Sequence, residues 1–492
     1  MELSTALLLG FFLLALLWWK MSLPKGVPPG PAPLPLLGNI LQMDFSNPLK
    51  ELKKFSEEYG PVYTIYIGFT PAVVVRGLKD LKEILVNKGH DFADRPSTRL
   101  INDISEKKGL VVAPYGPAWK EHRRFTLSTL RNFGLGKKSM EEKICEESVH
   151  VIQEFKKNKD TLFDPHHVID NAVSNITCMI VFGRRYEYND STFRDILNLI
   201  HENMKMSTGF WAQLYNAFGF VKHLPLPHRR IFRNVKVFFA FLEKVLLEHK
   251  RTRVPGQPRD YIDCYLDELE KEQGERKLTF SNENLFICVA DLFIAGTETT
   301  TSTLEWCLLY MMMYPEIQEK CREEIDKIRG DRDHLDYEDR LSMPYTQAVL
   351  QEVQRFASVV PLGVAHAPIK DIQLNGYTIP KRTMVITDLS SVNYDEKQWK
   401  YPHEFNPENF LDSEGNLVKV DGFIPFSAGP RVCLGENLAR MEIFLYFTTL
   451  LTHFEFHWPD PKSPPDTTPV FGVTQVPKRY KMRFVTRKQN SK

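Results

Sequence analysis

Three things are scarce in this chain of 492 residues, and each scarcity excludes a class of protein. Charge of one sign is the first. Lys+Arg 63 against Asp+Glu 62 leaves a net charge of +1, so the chain lacks the overall field of a nucleic-acid binder. Repetition is the second. No internal period and no low-complexity linker divides the interior, which excludes a solenoid or a string of tethered modules. Paired cysteine is the third. Cys145, Cys178, Cys264, Cys288, Cys307, Cys321 and Cys433 are odd in number, scattered, and never spaced C-x-x-C. That pattern argues against a disulfide framework or a zinc ribbon and fits a reducing compartment.

What is present is a large apolar fraction, 43% hydrophobic and 12% aromatic, enough for one sizeable core. Residues 3–19 form an uncharged run closed by Trp18, Trp19 and Lys20, near the lower length limit for crossing a bilayer. The run lacks a basic leader and a small-x-small cleavage site, so it reads as a retained anchor. Glu2 before it and Lys20 and Lys25 after it place the body on the cytoplasmic side, leaving the sequons at Asn175 and Asn189 unused. Pro24 to Pro33 is proline-rich and reads as a stiff, extended spacer. The expected organisation is residues 1–21 as membrane anchor, 22–38 as linker and 39–492 as one catalytic domain.

Within the body, Val62 to Ile67 and Ala72 to Val75 read as a hairpin through Gly68-Phe69-Thr70-Pro71. Ile372 to Leu374 and Tyr377 to Ile379 read as a second, turning at Asn375-Gly376, a pair suited to a type I′ turn. Ile231 to His249, Leu285 to Met313, Tyr345 to Phe356 and Glu436 to Leu451 have helical period. The fold class expected is mainly α with small β-sheets.

Phe426-Ser427-Ala428-Gly429-Pro430-Arg431-Val432-Cys433-Leu434-Gly435 leads directly into a helical run. A loop that delivers a cysteine to a helix N-terminus surrounds its sulfur with free N–H groups, which stabilise a thiolate and lower the thiol pKa. Gly429 and Gly435 would let a flat macrocycle approach the backbone, and Arg431 offers a cation to a carboxylate on it. The spacing F-x-x-G-x-R-x-C-x-G resembles the haem-binding loop of the cytochrome P-450 superfamily, most closely its vertebrate microsomal family-two members. The resemblance runs from the N-terminal anchor to about Phe484.

That resemblance implies haem b ligated by Cys433, with Arg431, Trp119, Arg123, Arg95 and His366 around its propionates. It implies that Thr299 and Glu298, in Ala295-Gly296-Thr297-Glu298-Thr299-Thr300, form an oxygen-activating groove and feed protons inward. Polarity inside an apolar helix is otherwise costly, although threonines that bond back to the previous turn are a bland alternative, and Gly296 would loosen the helix there. Glu352 and Arg355, three apart on one helix face, read alone as a solvated pair worth about 0.2 to 0.5 kcal/mol. In the family the pair is locked to a meander resembling Phe405 to Phe410, where Asn409 replaces the usual arginine. Phe293, Ala295, Leu362, Val364 and Val473 match substrate-pocket positions, and their apolar character suits lipids, steroids or foreign hydrophobic compounds.

The activity implied is NADPH-dependent insertion of one oxygen atom from O₂, with NADPH-cytochrome reductase as electron donor and cytochrome b5 as a second candidate donor. The location implied is the endoplasmic reticulum membrane. Lys120, His122, Arg124, Arg131, Lys137 and Lys138 read equally as a solvated helix edge or as a basic docking face for an acidic donor, and Phe218 to Leu226 either as plain core packing or as a loop dipping into the membrane. Two rivals remain open at this point: a haem-thiolate isomerase or dehydratase acting on peroxides without a reductase, and a non-enzymatic membrane protein that binds haem or lipid.

Overall fold

The computed structural model describes residues 26–134, 137–159, 161–272, 279–460 and 462–487. The apolar run at residues 3–19 lies outside them. Among the described residues no helix is long and apolar enough to cross a membrane.

Nine α-helices of 14 residues or more are found among the described residues: α1 Pro117–Asn132, α2 Lys138–Lys157, α3 His166–Val181, α4 Ser191–Met206, α5 His228–Thr252, α6 Asn282–Met313, α7 Pro315–Arg329, α8 Pro344–Ala357 and α9 Glu436–His453. Their starts follow local chemistry. Ser281 caps α6 by accepting the Asn284 N–H at 3.0 Å, and Asp190 caps α4 by accepting that of Phe193 at 3.0 Å. Proline opens α1, α7 and α8, where its missing N–H leaves no bond unmade. Pro315 also ends α6, since α6 stops at Met313 and α7 begins two residues on.

α6 is apolar almost all round and is the axis of the molecule, packed against α3, α5, α7, α8 and α9. Trp306 is 1% exposed within it and donates its indole N–H to the Gln475 carbonyl at 3.1 Å. Gly296 does not loosen this helix, which runs unbroken through it. A Cβ there would sit 2.6 Å from the Thr177 hydroxyl, so glycine is required for the close approach of α3 to α6.

The sheets are small. β1 Val62–Ile67 and β2 Thr70–Arg76 pair antiparallel through a turn at Gly68-Phe69, tighter than the one expected. β3 Ile372–Leu374 and β4 Tyr377–Ile379 pair as expected, with Asn375 and Gly376 at φ +51° and +81°. β5 Met384–Asp388 was not anticipated; it joins β2 in parallel, Ala72 opposite Met384. β6 Phe454–His457 pairs with β9 Arg483–Thr486, and β7 Val470–Phe471 with β8 Gln475–Val476. The proline segment is extended but docked: Thr64 donates its N–H to Pro29 at 2.7 Å and its hydroxyl to Pro28 at 2.9 Å. From Gly26 onward it packs on the body and is no free spacer.

Glu352 and Arg355 on α8 are both 0% exposed, so they are not a solvated pair. Arg355 grips both carboxylate oxygens at 2.7 Å and donates to the carbonyls of Asn393, Pro402 and Glu404 at 2.5, 2.9 and 2.8 Å. Asn409 closes the network, donating to Glu352 at 3.2 Å and to the Tyr401 carbonyl at 3.1 Å while accepting the Tyr401 N–H at 2.8 Å. Arg355→Ala leaves a buried, unpaired carboxylate, so denaturant unfolding should show a loss of about 3–5 kcal/mol. Asn409→Ala should show a smaller loss.

Candidate active site

The loop before α9 is pinned by guanidinium groups that reach backbone carbonyls. Arg431 donates to Ala93, Leu110 and Ala113 at 2.8, 3.3 and 2.7 Å and lies 3.9 Å over the Trp119 ring. Trp119 donates its indole N–H to Leu110 at 3.0 Å. Arg123, one turn further along α1, donates to Val432 at 2.5 Å. Arg95 donates to Val111, Val364 and Ala365 at 2.9, 2.7 and 2.9 Å. Gly429 serves backbone packing rather than access by a macrocycle: its φ is +75°, and a Cβ would fall 1.7 Å from the Leu85 carbonyl oxygen. Gly435 does face open space.

Cys433 donates its backbone N–H to Phe426 at 3.1 Å. Its side chain opens onto a hollow yet is surrounded by enough protein that burial still pushes the thiol up. The N–H groups of Gly435 and Glu436, with the Arg123 guanidinium, pull the other way. The expected lowered pKa is therefore corrected. The helix N-terminus offers the bonds a thiolate needs, but they do not outweigh desolvation by themselves, so the ligand geometry suits a bound metal cation. Burial raises the other six thiols as well, and all seven are free.

The cations around this loop have an electrostatic problem. Burial lowers the pKa of Arg95, Arg123 and Arg431, the last to about 10, and each of Arg95 and Arg431 is further lowered by its neighbouring guanidiniums. Their hydrogen bonds go to carbonyls, and Asp94 is the one carboxylate near enough to raise Arg95 and Arg431 in return. His366 is paired to β5 through Val385 and donates from Nδ1 to the Phe92 carbonyl at 2.9 Å; burial, then Arg95, hold it down at about 3, a neutral imidazole. Three clustered cations with unspent N–H capacity, above a cysteine with two N–H groups on its sulfur, suit a flat dianionic tetrapyrrole whose metal binds sulfur.

Ala295, Val364 and Val473 are exposed and Leu362 and Thr299 half-buried, so none of them is fully taken up by core packing. Phe293 is not among them. It is 0% exposed and packs against Phe182, Phe193 and Phe238 at 5.4, 6.1 and 6.0 Å in the helical core, because it leaves α6 on the opposite side from Ala295. Thr299 bonds back to the Ala295 carbonyl at 2.9 Å, as do Ser302 and Thr303 to the turns before them. Glu298 does not touch Thr299: it is 2% exposed, accepts from the Thr474 hydroxyl at 2.9 Å and pairs with His201.

Asp291 escaped sequence reasoning although it was visible as a charge inside an apolar helix. One of its oxygens accepts from Leu110 and Val111 at 2.7 and 3.0 Å, and burial lifts it to about 6. Through their N–H groups it holds the two residues whose carbonyls Arg431, Trp119 and Arg95 grip. Of the expected basic face, Lys120, Arg124, Arg131, Lys137 and Lys138 are exposed, whereas His122 is buried against Tyr265. Phe218 to Leu226 contains a 3₁₀ turn, Gly219–His223, with Phe220 63% exposed and Leu224 39%; Phe218 meets Phe69 at 6.2 Å. Asn175 is 0% exposed and bonded to Glu147 and Tyr186, closed to glycosylation in this fold.

A cysteine at a helix N-terminus, a cation cluster and an apolar hollow define the class of haem-thiolate proteins. Comparison with known sequences agrees. The chain matches the family model Cytochrome P450 over residues 28–484. It is 44% identical over 464 residues to cytochrome P450 2D6 of Homo sapiens, covering 94% of this chain and 93% of that one. It is 41% identical over 492 residues to cytochrome P450 2B4 of Oryctolagus cuniculus, covering 99% and 100%, and 45% identical over 450 residues to cytochrome P450 2J2 of Homo sapiens, covering 91% and 89%. The chain belongs to the cytochrome P450 family and is a haem-thiolate monooxygenase.

The neutral His366 makes stability depend on pH. Unfolded, it takes up a proton near its ordinary pKa; folded, it does not until about 3, so its contribution is lost as pH falls below about 6.5. Between pH 6.5 and 5 the loss should reach about 2 kcal/mol. Denaturant titrations at both pH values should show that His366→Gln has a flatter slope than the unmodified protein.

Proposed function

We propose that this protein, anchored by residues 3–19 in the endoplasmic reticulum membrane, takes electrons from NADPH through the microsomal reductase and oxidises hydrophobic substrates. The observation that carries the reading is Cys433 on the first N–H groups of α9, near three guanidiniums that crowd one another and share only Asp94 as a nearby carboxylate. Cys433 would be the thiolate ligand of haem b, and Arg95, Arg123, Arg431, Trp119 and His366 would frame its propionates. When bound, a thiolate-ligated haem supplies the electron density that cleaves the O–O bond and delivers one oxygen atom to carbon.

The chain's own residues do the rest. Ala295, Leu362, Val364 and Val473 exclude water and hold apolar substrates such as fatty acids, steroids or xenobiotics. Thr299 offers a hydroxyl on the hollow side of α6, and Glu298 a carboxyl that moves protons behind it. Lys120, Arg124 and Arg131 are exposed on the helix whose Arg123 reaches Val432, next to Cys433, and Lys137 and Lys138 are exposed at the start of α2. That placement favours docking of an acidic reductase, or of cytochrome b5, against the ligand loop. Phe220, Leu224 and Phe69 form an exposed apolar patch beside Leu36 in the N-terminal segment, suited to contact with lipid.

Dithionite reduction under carbon monoxide should give the red-shifted Soret band of thiolate ligation. Cys433→His should abolish it, and Cys288→Ala should leave it intact. With reductase, product formation should require NADPH. Turnover of a hydroperoxide with no reductant required would instead support an isomerase. Thr299→Ala should divert electrons to hydrogen peroxide and lower the product yield by about 10-fold or more, read as peroxide and product per NADPH consumed.

A further inference from the structure

Five titratable side chains meet where α3, α4 and α6 pack together, beside the hollow and apart from the cation cluster. They are His166 and Asp170 of α3, His201 of α4, and Glu298 and Glu305 of α6. His201 sits at the centre: its Nδ1 pairs with a Glu298 oxygen, and its Nε2 lies 2.9 Å from an Asp170 oxygen. The other Asp170 oxygen accepts from the Thr301 hydroxyl at 3.2 Å, and the other Glu298 oxygen from Thr474 at 2.9 Å. His166 pairs through Nδ1 with Glu305. Three buried carboxylates thus face two imidazoles, and no lysine or arginine pairs with any of the three among the described residues.

The exposures of these side chains are unequal. His201 is 18% exposed, whereas Asp170 is 2% and Glu298 3%, and His166 and Glu305 are both 7%. We propose that His201 positions the Glu298 carboxylate and carries protons to it from solvent, with Asp170 fixing which ring nitrogen gives up its proton. This rests on the monooxygenase reading above and adds a positioning residue to it.

The charge balance supports an imidazolium at rest. Although burial opposes it, Asp170 and then Glu298 hold the His201 pKa well above its ordinary value, and Asp170 itself is lowered to about 2. Nε2–H then donates to Asp170, and Nδ1–H faces Glu298 across the ion pair. Glu298 in this state is a carboxylate turned toward α4, while Thr299, roughly 100° further round the helix, faces the hollow. To deliver a proton, Glu298 must first acquire one and leave the ion pair.

In that step the Nδ1–H bond breaks and an O–H bond forms on Glu298, leaving His201 neutral. Because Asp170 keeps Nε2 protonated, the proton given up is always the one that faces Glu298. The neutral carboxyl, no longer held by charge, is free to turn toward Thr299. Water at the exposed edge of His201 returns a proton to Nδ1, so the net change is one proton moved from solvent to Glu298.

The same residues offer a second chemistry that the experiment must separate. His166 Nε2 is buried, has no hydrogen-bond partner, and lies 4.0 Å from Asp170; with His201 these atoms lie within 4.8 Å of one another, a spacing that accepts a metal ion. The test uses the holoenzyme with reductase, an oxidisable substrate, and the variants His201→Gln and Asp170→Asn. Glutamine keeps a hydrogen-bond donor near Glu298 but does not titrate. His201→Gln should keep the carbon monoxide band and the substrate-induced spectral shift, yet raise the peroxide share of NADPH consumption by about fivefold or more and enlarge the solvent isotope effect on product formation. Nitrogen NMR of histidine-labelled protein in the diamagnetic ferrous carbon monoxide form should show the His201 ring charged at pH 8, and neutral at that pH in Asp170→Asn.

Wild-type coupling and isotope effect in His201→Gln would overturn the proposal, as would a neutral His201 at pH 8. So would an equivalent of zinc whose chelation reproduces the His201→Gln defect. If His201→Gln fails to fold, Asp170→Asn carries the same readouts. A wild type that rearranges hydroperoxides without NADPH would defeat the monooxygenase reading, and the NMR result would still decide the charge on His201.

Discussion

Arg431 lies on the face of Trp119 and spends three N–H bonds on the carbonyls of Ala93, Leu110 and Ala113, and the position of Cys433 depends on that grip. The loop before α9 has only a single 3₁₀ turn of regular structure, so its own backbone bonds cannot place a sulfur to within a fraction of an ångström. Guanidinium groups do so instead, from two sides: Arg431 outward from the loop and Arg123 inward to Val432. Asp291 then fixes the segment that receives Arg431. A rigid central helix, an intervening segment and the ligand loop are thereby one hydrogen-bonded unit.

The same device recurs on the other side of the molecule. Arg355 holds carbonyls of the meander much as Arg431 holds those beneath Trp119, but with Glu352 as a buried counter-charge. The contrast is informative. Arg355 has its own carboxylate, bound through two N–H groups; Arg95, Arg123 and Arg431 have only Asp94 nearby and crowd one another.

Much of this was legible from residue pattern. Long helical runs, the Asn375-Gly376 turn and the cysteine loop are local features, and local chemistry decides them. β5 was missed because its pairing partner β2 lies some 300 residues away, and parallel pairing leaves no turn signal between the strands. The burial of Glu352 and Arg355 was invisible because an i, i+3 pair looks the same on a wet face and a dry one. Phe293 was misassigned to the hollow because a two-residue step from Ala295 rotates a side chain to the opposite side of α6. His201 and Asp170 gave no signal of their own: each is ordinary on its helix, and only the crossing of α3, α4 and α6 makes them a pair.

The parallel pairing of Ala72 with Met384 also has a consequence for biosynthesis. Arg95 and Arg123 leave the ribosome early, whereas Val364, Arg431 and Cys433 emerge in the last third of the chain. Contacts this distant in sequence close late. For most of translation, then, the early arginines lack the late carbonyls that they hold in the finished fold. The nascent protein must be carried through that interval with its cation cluster half-built, so this part of the molecule closes among the last.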